Sequence, residues 1–197
     1  MDSLQIEATL RFDFPRNWRA IKYDDADFHR QRMMPLQEIK ASDIVAMPPD
    51  STQLYLLEVK DFRPKDKNSG RCDDYKKFIT IVAKKSLSTI AGLYLAPRTD
   101  DTTVTAFSRR LLSNPQHLQV IFFMQEDPLP VGGTYDYRRI MLDRRQKLRE
   151  VFGKLGLDAE LYSLATPAED MPWTVHDIYT PSATPPPAIP SRSKKKK

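Results

Sequence analysis

The sequence predicts an α/β domain, a central sheet flanked by helices, followed by a disordered C-terminal tail. Three observations carry that expectation. Two runs of strand type buried on both faces, residues 53–62 and 118–124, alternate with two segments of helical apolar spacing, 75–95 and 135–155. With 197 residues and 40% hydrophobic content, the chain can bury one core. From Thr180 onward, prolines mixed with Ser, Ala and Thr replace apolar periodicity, a composition that cannot build a core. The expected division is therefore a folded domain over 1–179 and a Pro-rich, Lys-rich disordered tail over 180–197.

Taken in order, residues 5–12 alternate (Ile6, Ala8 and Leu10 against Gln5, Glu7 and Thr9) as one half-buried strand would. Residues 18–23 suit a short strand or a helix entry. Asp24, Asp25 and Asp27 supply capping chemistry for a short helix over 28–34, stopped by Pro35. Strands are expected over 38–47 and 53–62, joined at Pro48-Pro49-Asp50-Ser51 as a hairpin. Residues 63–74 read as a polar, mobile loop and 75–95 as a helix bearing Phe78, Ile81, Val82, Leu87, Ile90 and Ala91. A polar connection leads to a short helix over 105–113, then the strand 118–124. A helix over 135–155 has Met141, Leu148, Val151, Phe152 and Leu155 inward and Gly156 as its stop. Residues 157–164 form the last expected strand.

Charge and cysteine content narrow the function classes. Five of the 31 Lys and Arg residues, Arg192 and Lys194 to Lys197, lie in the tail, so the remainder balances the 26 acidic residues. The basic pI therefore belongs to the tail and does not imply a basic groove in the fold. The Lys194–Lys197 run suits an electrostatic tether, a nuclear signal or a solubilising end. One cysteine, Cys72, permits no internal disulfide and no cysteine zinc cage. The acidic start is unlike a signal peptide, and no run approaches the ~20 apolar residues of a membrane span. A cytoplasmic protein without a membrane partner is the expectation. His29, His117 and His176 lack ligand spacing, and Gly132-Gly133 lacks the pattern of a phosphate loop.

Chemistry concentrates on the expected hairpin. Glu58 and Lys60 are two apart on one strand and so share a face. Asp43 lies on the preceding strand, where pairing brings it within reach of the same ion. Carboxylates with a backbone carbonyl make a hard oxygen site suited to Mg²⁺, with Mn²⁺ as an alternative ion. Such an ion lowers the pKa of bound water and offsets charge on a phosphate, while a lysine ammonium stabilises the developing anion. The acid-x-Lys pattern occurs three times, at Glu38-Ile39-Lys40, Glu58-Val59-Lys60 and Asp74-Tyr75-Lys76. Only the middle one lies in an apolar strand with an upstream Asp at hairpin distance. Charges inside Leu-Tyr-Leu-Leu-Glu-Val-Lys are costly unless compensated, and the competing account is an ion pair at a sheet end.

Asp43 followed by Glu58-Val59-Lys60 in a strand–turn–strand setting resembles the PD-(D/E)xK, or restriction-endonuclease-like, nuclease superfamily. The likeness spans roughly residues 20–125. It implies a mixed central sheet, with Asp43 and Glu58 binding metal and Lys60 assisting catalysis. It also implies a further metal carboxylate before the hairpin, for which Asp24, Asp25 and Asp27 are the candidates. Ser42 departs from the proline frequent at that position in the superfamily.

On this resemblance the expected activity is Mg²⁺-dependent hydrolysis of phosphodiester bonds in DNA, in a phage-defence or DNA-processing setting. With no evident target-reading motif, the domain would need to form a homo-oligomer or to join a helicase or ATPase subunit. The alternative is a non-catalytic subunit that uses the fold to bind nucleic acid or protein. Candidate phosphate contacts are Arg63, Lys65, Lys67 and Arg71 after the hairpin, Lys76 and Lys77 opening the next helix, and Arg145 and Arg149 within the basic stretch 138–149.

Overall fold

The computed structural model describes residues 2–7, 9–36, 39–50, 52–63, 72, 74–99, 101–114, 116–127, 137–166 and 171–179. Within them lie eight strands, β1 (Asp2–Ile6), β2 (Leu10–Phe14), β3 (Arg19–Lys22), β4 (Ile44–Met47), β5 (Leu54–Asp61), β6 (Leu118–Gln125), β7 (Asp158–Tyr162) and β8 (Thr174–Asp177). Three α-helices accompany them: α1 (Tyr75–Leu95), α2 (Thr102–Ser113) and α3 (Tyr137–Gly153). The fold is mixed α/β with two sheets. The larger runs β3-β4-β5-β6-β7, antiparallel across β3, β4 and β5 and parallel across β5, β6 and β7. The smaller is antiparallel, β1-β2-β8.

Side-chain alternation along the central strands explains the layering. Leu54 and Leu56 of β5 face a core shared with α1 and α2, and Val120, Phe122 and Met124 of β6 face one shared with α1 and α3. Their neighbours Leu57, Val59, Ile121 and Phe123 face the other way, against Phe12, Phe14 and Trp173 beneath the small sheet. A strand covered on both sides must be apolar throughout, which is why β5 and β6 read as continuous hydrophobic runs. Glu58 breaks that run on the helix side, and Lys60 and the buried Asp61 close the strand.

The middle of the chain matches expectation closely: α1, β5 and β7 lie within the ranges read from sequence, and β6 runs one residue past its range, to Gln125. The N-terminus does not. The single strand expected over 5–12 is a hairpin, β1 turning into β2, with Glu7 at φ 56° in the turn. Ile6 pairs directly with Leu10 and both are buried, so period-two alternation survives the reversal and conceals it. The helix expected over 28–34 is a π-helical turn, His29–Met33, continued by a 3₁₀ turn, Met34–Leu36, that runs through Pro35. It has no side-chain cap, so the aspartates before it do not act as expected there. The strand expected over 38–47 shrinks to β4, because the Ser42 amide donates to Thr89 Oγ1 at 2.9 Å instead of joining the ladder. α2 starts earlier than expected, at Thr102, capped by Asp101, which accepts from the Thr103 and Val104 amides. α3 ends at Gly153, and Gly156, at φ 68°, is the stop. β8 had no apolar alternation to reveal it and exists through its pairing with β2.

With its 3₁₀ extension, α1 is long and apolar enough by composition to cross a membrane, which the sequence reading did not credit. Here it lies on the large sheet through Ile79, Val82 and Leu93. The expected tail over 180–197 and most of the loop 63–74 fall outside the described residues.

Candidate functional site

The β4–β5 register pairs Ile44 with Leu57, so one step further sets Asp43 across from Glu58. Asp43 lies just outside β4, and its Oδ2 accepts the Val59 amide at 2.7 Å, which fixes the carboxylate against β5. Both acids are buried, with 8% of Asp43 and 5% of Glu58 exposed. Between them stands a residue that the sequence reading did not select. Lys85 of α1 places its Nζ 2.6 Å from Glu58 Oε1 and 3.2 Å from Asp43 Oδ1. The helix is held in register for this by Thr89, one turn on, whose hydroxyl accepts the Ser42 amide immediately before Asp43.

One ammonium cannot neutralise two carboxylates, and the electrostatics follow from that shortage. Burial works against the charge on Lys85, but Glu58 and Asp43 outweigh it and hold its pKa above the ordinary value. Glu58 is pushed up to about 8, first by burial and then by the Asp43 charge, against the help of Lys85. Asp43 is also raised, chiefly by burial. Glu58 Oε2 is buried without a hydrogen-bond partner. A buried acid with an idle oxygen, beside a second acid and one shared cation, leaves the pocket short of positive charge.

The carboxylates before the hairpin divide. Asp24 is raised to about 6 by burial and by the Asp43 charge, and its Oδ1 is also buried without a partner. Asp25 is turned to solvent and pairs with Lys22 at 2.7 Å. Asp27 is exposed and lines a cleft with Arg32 and Arg98. Among the described residues no three His, Cys, Asp or Glu side chains form a ready metal cluster. Asp43 and Glu58 nonetheless fit Mg²⁺, which commonly uses one or two carboxylates and keeps water in its remaining positions. The partnerless Glu58 Oε2 is the atom such an ion would satisfy.

The expected cations are placed as follows. Lys60 pairs with Glu7 in the β1–β2 turn. The Arg63 side chain is 8% exposed, held by Asp61 at 2.7 Å and Asp177 at 2.6 Å and stacked over Tyr179. Through these pairs it ties the end of β5 to β8. Lys76 and Lys77 are exposed on the first turn of α1. Arg145 and Arg149 both pair with Glu160 of β7. Within the same helix Arg144 turns inward to Glu126 at 2.7 Å. Lys65, Lys67 and Arg71 lie outside the described residues.

A signal for Lys85 was present in the sequence. The buried stripe of α1 passes from Ile79 and Val82 to Ser86 and Thr89, small polar residues at core spacing. A helix that carries such residues inward packs over something polar. Comparison of the chain with protein-family models, curated proteins and solved structures returns no match.

Proposed function

We propose that the Asp43–Lys85–Glu58 pocket is the catalytic centre of a metal-dependent nuclease that hydrolyses phosphodiester bonds in DNA. The observation that carries this reading is a buried pair of carboxylates sharing one lysine, with Glu58 raised to about 8 and one of its oxygens partnerless. Support also comes from the arrangement around it. An antiparallel β3-β4-β5 meander is followed by α1 and a parallel β6, the order of hairpin, helix and strand implied by the PD-(D/E)xK resemblance.

In this reading Asp43 and Glu58 hold Mg²⁺, with Mn²⁺ as an alternative, and Asp24, within electrostatic reach of Asp43, is the candidate further acid. The bound ion supplies a water of lowered pKa and offsets charge on the phosphate. Asp43, fixed by the Val59 amide, keeps its carboxylate aimed without rearrangement. Lys85 supplies a preorganised cation for charge that develops on the phosphate oxygens. Lys60, at the same end of β5, is the second cation once its ammonium exchanges Glu7 for a phosphate.

A non-catalytic nuclease-fold subunit is the second reading, and the ion pairs of Lys85 with both acids favour it, since together with the Val59 amide they satisfy three of the four carboxylate oxygens. Cleavage assays on linear, circular and single-stranded DNA, and on RNA, with Mg²⁺, Mn²⁺ or EDTA separate the two. Metal-dependent DNA cleavage that EDTA stops is expected; no cleavage of any substrate with either metal would leave the scaffold reading.

A further inference from the structure

α1 and α2 pack against each other and leave between them an open groove of about 640 Å³. Its floor and walls come from Leu87, Ile90, Tyr94 and Leu95 of α1 and Leu111 and Leu112 of α2. Four of the nine exposed large hydrophobic side chains among the described residues gather here: Leu87 (45% exposed), Tyr94 (53%), Leu95 (39%) and Leu112 (49%). Such concentration on one concave surface marks an interaction site rather than scattered surface apolarity.

The charges around the groove say what covers it. Neither helix contains a single Asp or Glu over its full length. Lys84 lies one turn before Leu87 and Arg109 one turn before Leu112, both exposed, and the Arg98 guanidinium sits 5.8 Å from the Tyr94 ring. Among the described residues the acids nearest Arg98 are Asp101, which is engaged in capping α2, and Asp27, which shares with Arg98 a cleft apart from the groove. A second copy of this chain would set a basic rim against a basic rim, so self-association through this face is disfavoured. The concave shape between two packed helices suits a third helix better than a lipid surface. We infer that this groove docks an amphipathic helix of a partner protein, with apolar anchors at i, i+4 and i+7 and Asp or Glu flanking them. The apolar line from Leu87 to Leu95 runs about 12 Å, so the anchors of the docked segment span roughly two turns. This inference stands apart from the nuclease reading, because no residue of the groove belongs to the Asp43–Lys85–Glu58 pocket.

The test is selection of helical peptides from a random 18-residue phage-displayed library on the immobilised full chain, followed by affinity measurements on the enriched peptides. Enrichment of acidic sequences with that apolar spacing is expected. Leu112→Asp, and separately Lys84→Glu with Arg109→Glu, should each weaken those peptides about tenfold or more with melting temperature and any nuclease activity unchanged. Absence of enrichment, enrichment of neutral or basic sequences, or equal binding by the variants would overturn the inference. So would wild-type dimers in sedimentation that Leu112→Asp dissociates, which would assign the groove to a second copy. Tighter binding to phosphatidylglycerol vesicles than to the peptides, lost in Leu112→Asp, would overturn it in favour of a lipid surface.

Discussion

At the scale of single residues, Lys85 holds both pocket acids while itself 17% exposed, so its loss leaves two buried carboxylates without a cation. Removing one partner of a buried pair is expensive. Lys85→Met is expected to cost about 3 kcal/mol in metal-free buffer. Mg²⁺ should recover part of that loss, and chemical denaturation with and without the ion measures it; a variant as stable as the wild type would show that the pairs are incidental. Titration gives an independent check. Glu58 moves from 4.5 to about 8 on folding, so its favourable contribution is complete below 4.5 and is lost as pH rises towards 8. Asp24, raised from 3.8 to about 6, acts in the same direction. His29, held below 6.5 by burial and by Lys85, opposes the trend only below about 6.5. Stability in EDTA should therefore fall between pH 6.5 and 8, and Glu58→Gln should remove most of that slope; an unchanged slope in the variant would place the titration elsewhere. Asp43 and Glu58 were legible in the sequence because charge inside an apolar strand is costly and needs a reason. Lys85 was not, since a lysine on a helix ordinarily reaches solvent and only its polar neighbours Ser86 and Thr89 hinted otherwise.

At the scale of elements, the seat of α1 decides where Lys85 stands. Gly92 allows that seat: a Cβ there would come within 2.5 Å of the hydroxyl of Tyr23, which is wholly buried. Gly92→Ala should force the helix outward and cost about 1–3 kcal/mol, the usual cost of overpacking. A Gly92→Ala protein with unaltered melting temperature would mean that the ring yields freely. Long elements were readable from periodicity because α1, β5 and β6 each carry an unbroken pattern. The β1–β2 hairpin was not, since Ile6 and Leu10 face the same core from either side of the turn. β8 was hidden for a different reason: four half-exposed or exposed residues gain their order from β2, far away in sequence. Arg63, read as a phosphate contact, straps β5 to β8 through an acid more than a hundred residues later.

At the scale of the whole molecule, the excess positive charge belongs to the last residues and the fold is balanced. Removing residues 180–197 should leave the melting temperature unchanged, because those residues have no apolar periodicity. It should also weaken DNA binding and reduce the salt dependence of the affinity by up to about five counterions. Equal affinity at low salt would make the tail a passive extension. Whether the chain as a whole is an enzyme turns on one substitution that separates chemistry from folding. Glu58→Gln keeps the shape of the side chain and removes the charge that burial disfavours. The decisive measurement is Mg²⁺-dependent DNA cleavage by this variant beside its melting temperature in EDTA at pH 9. Cleavage abolished in a protein that is at least as stable as the wild type is the expected result. Cleavage that persists, or a protein that is merely destabilised from an equally inactive parent, would contradict a catalytic pocket and leave an ion pair at the end of a sheet.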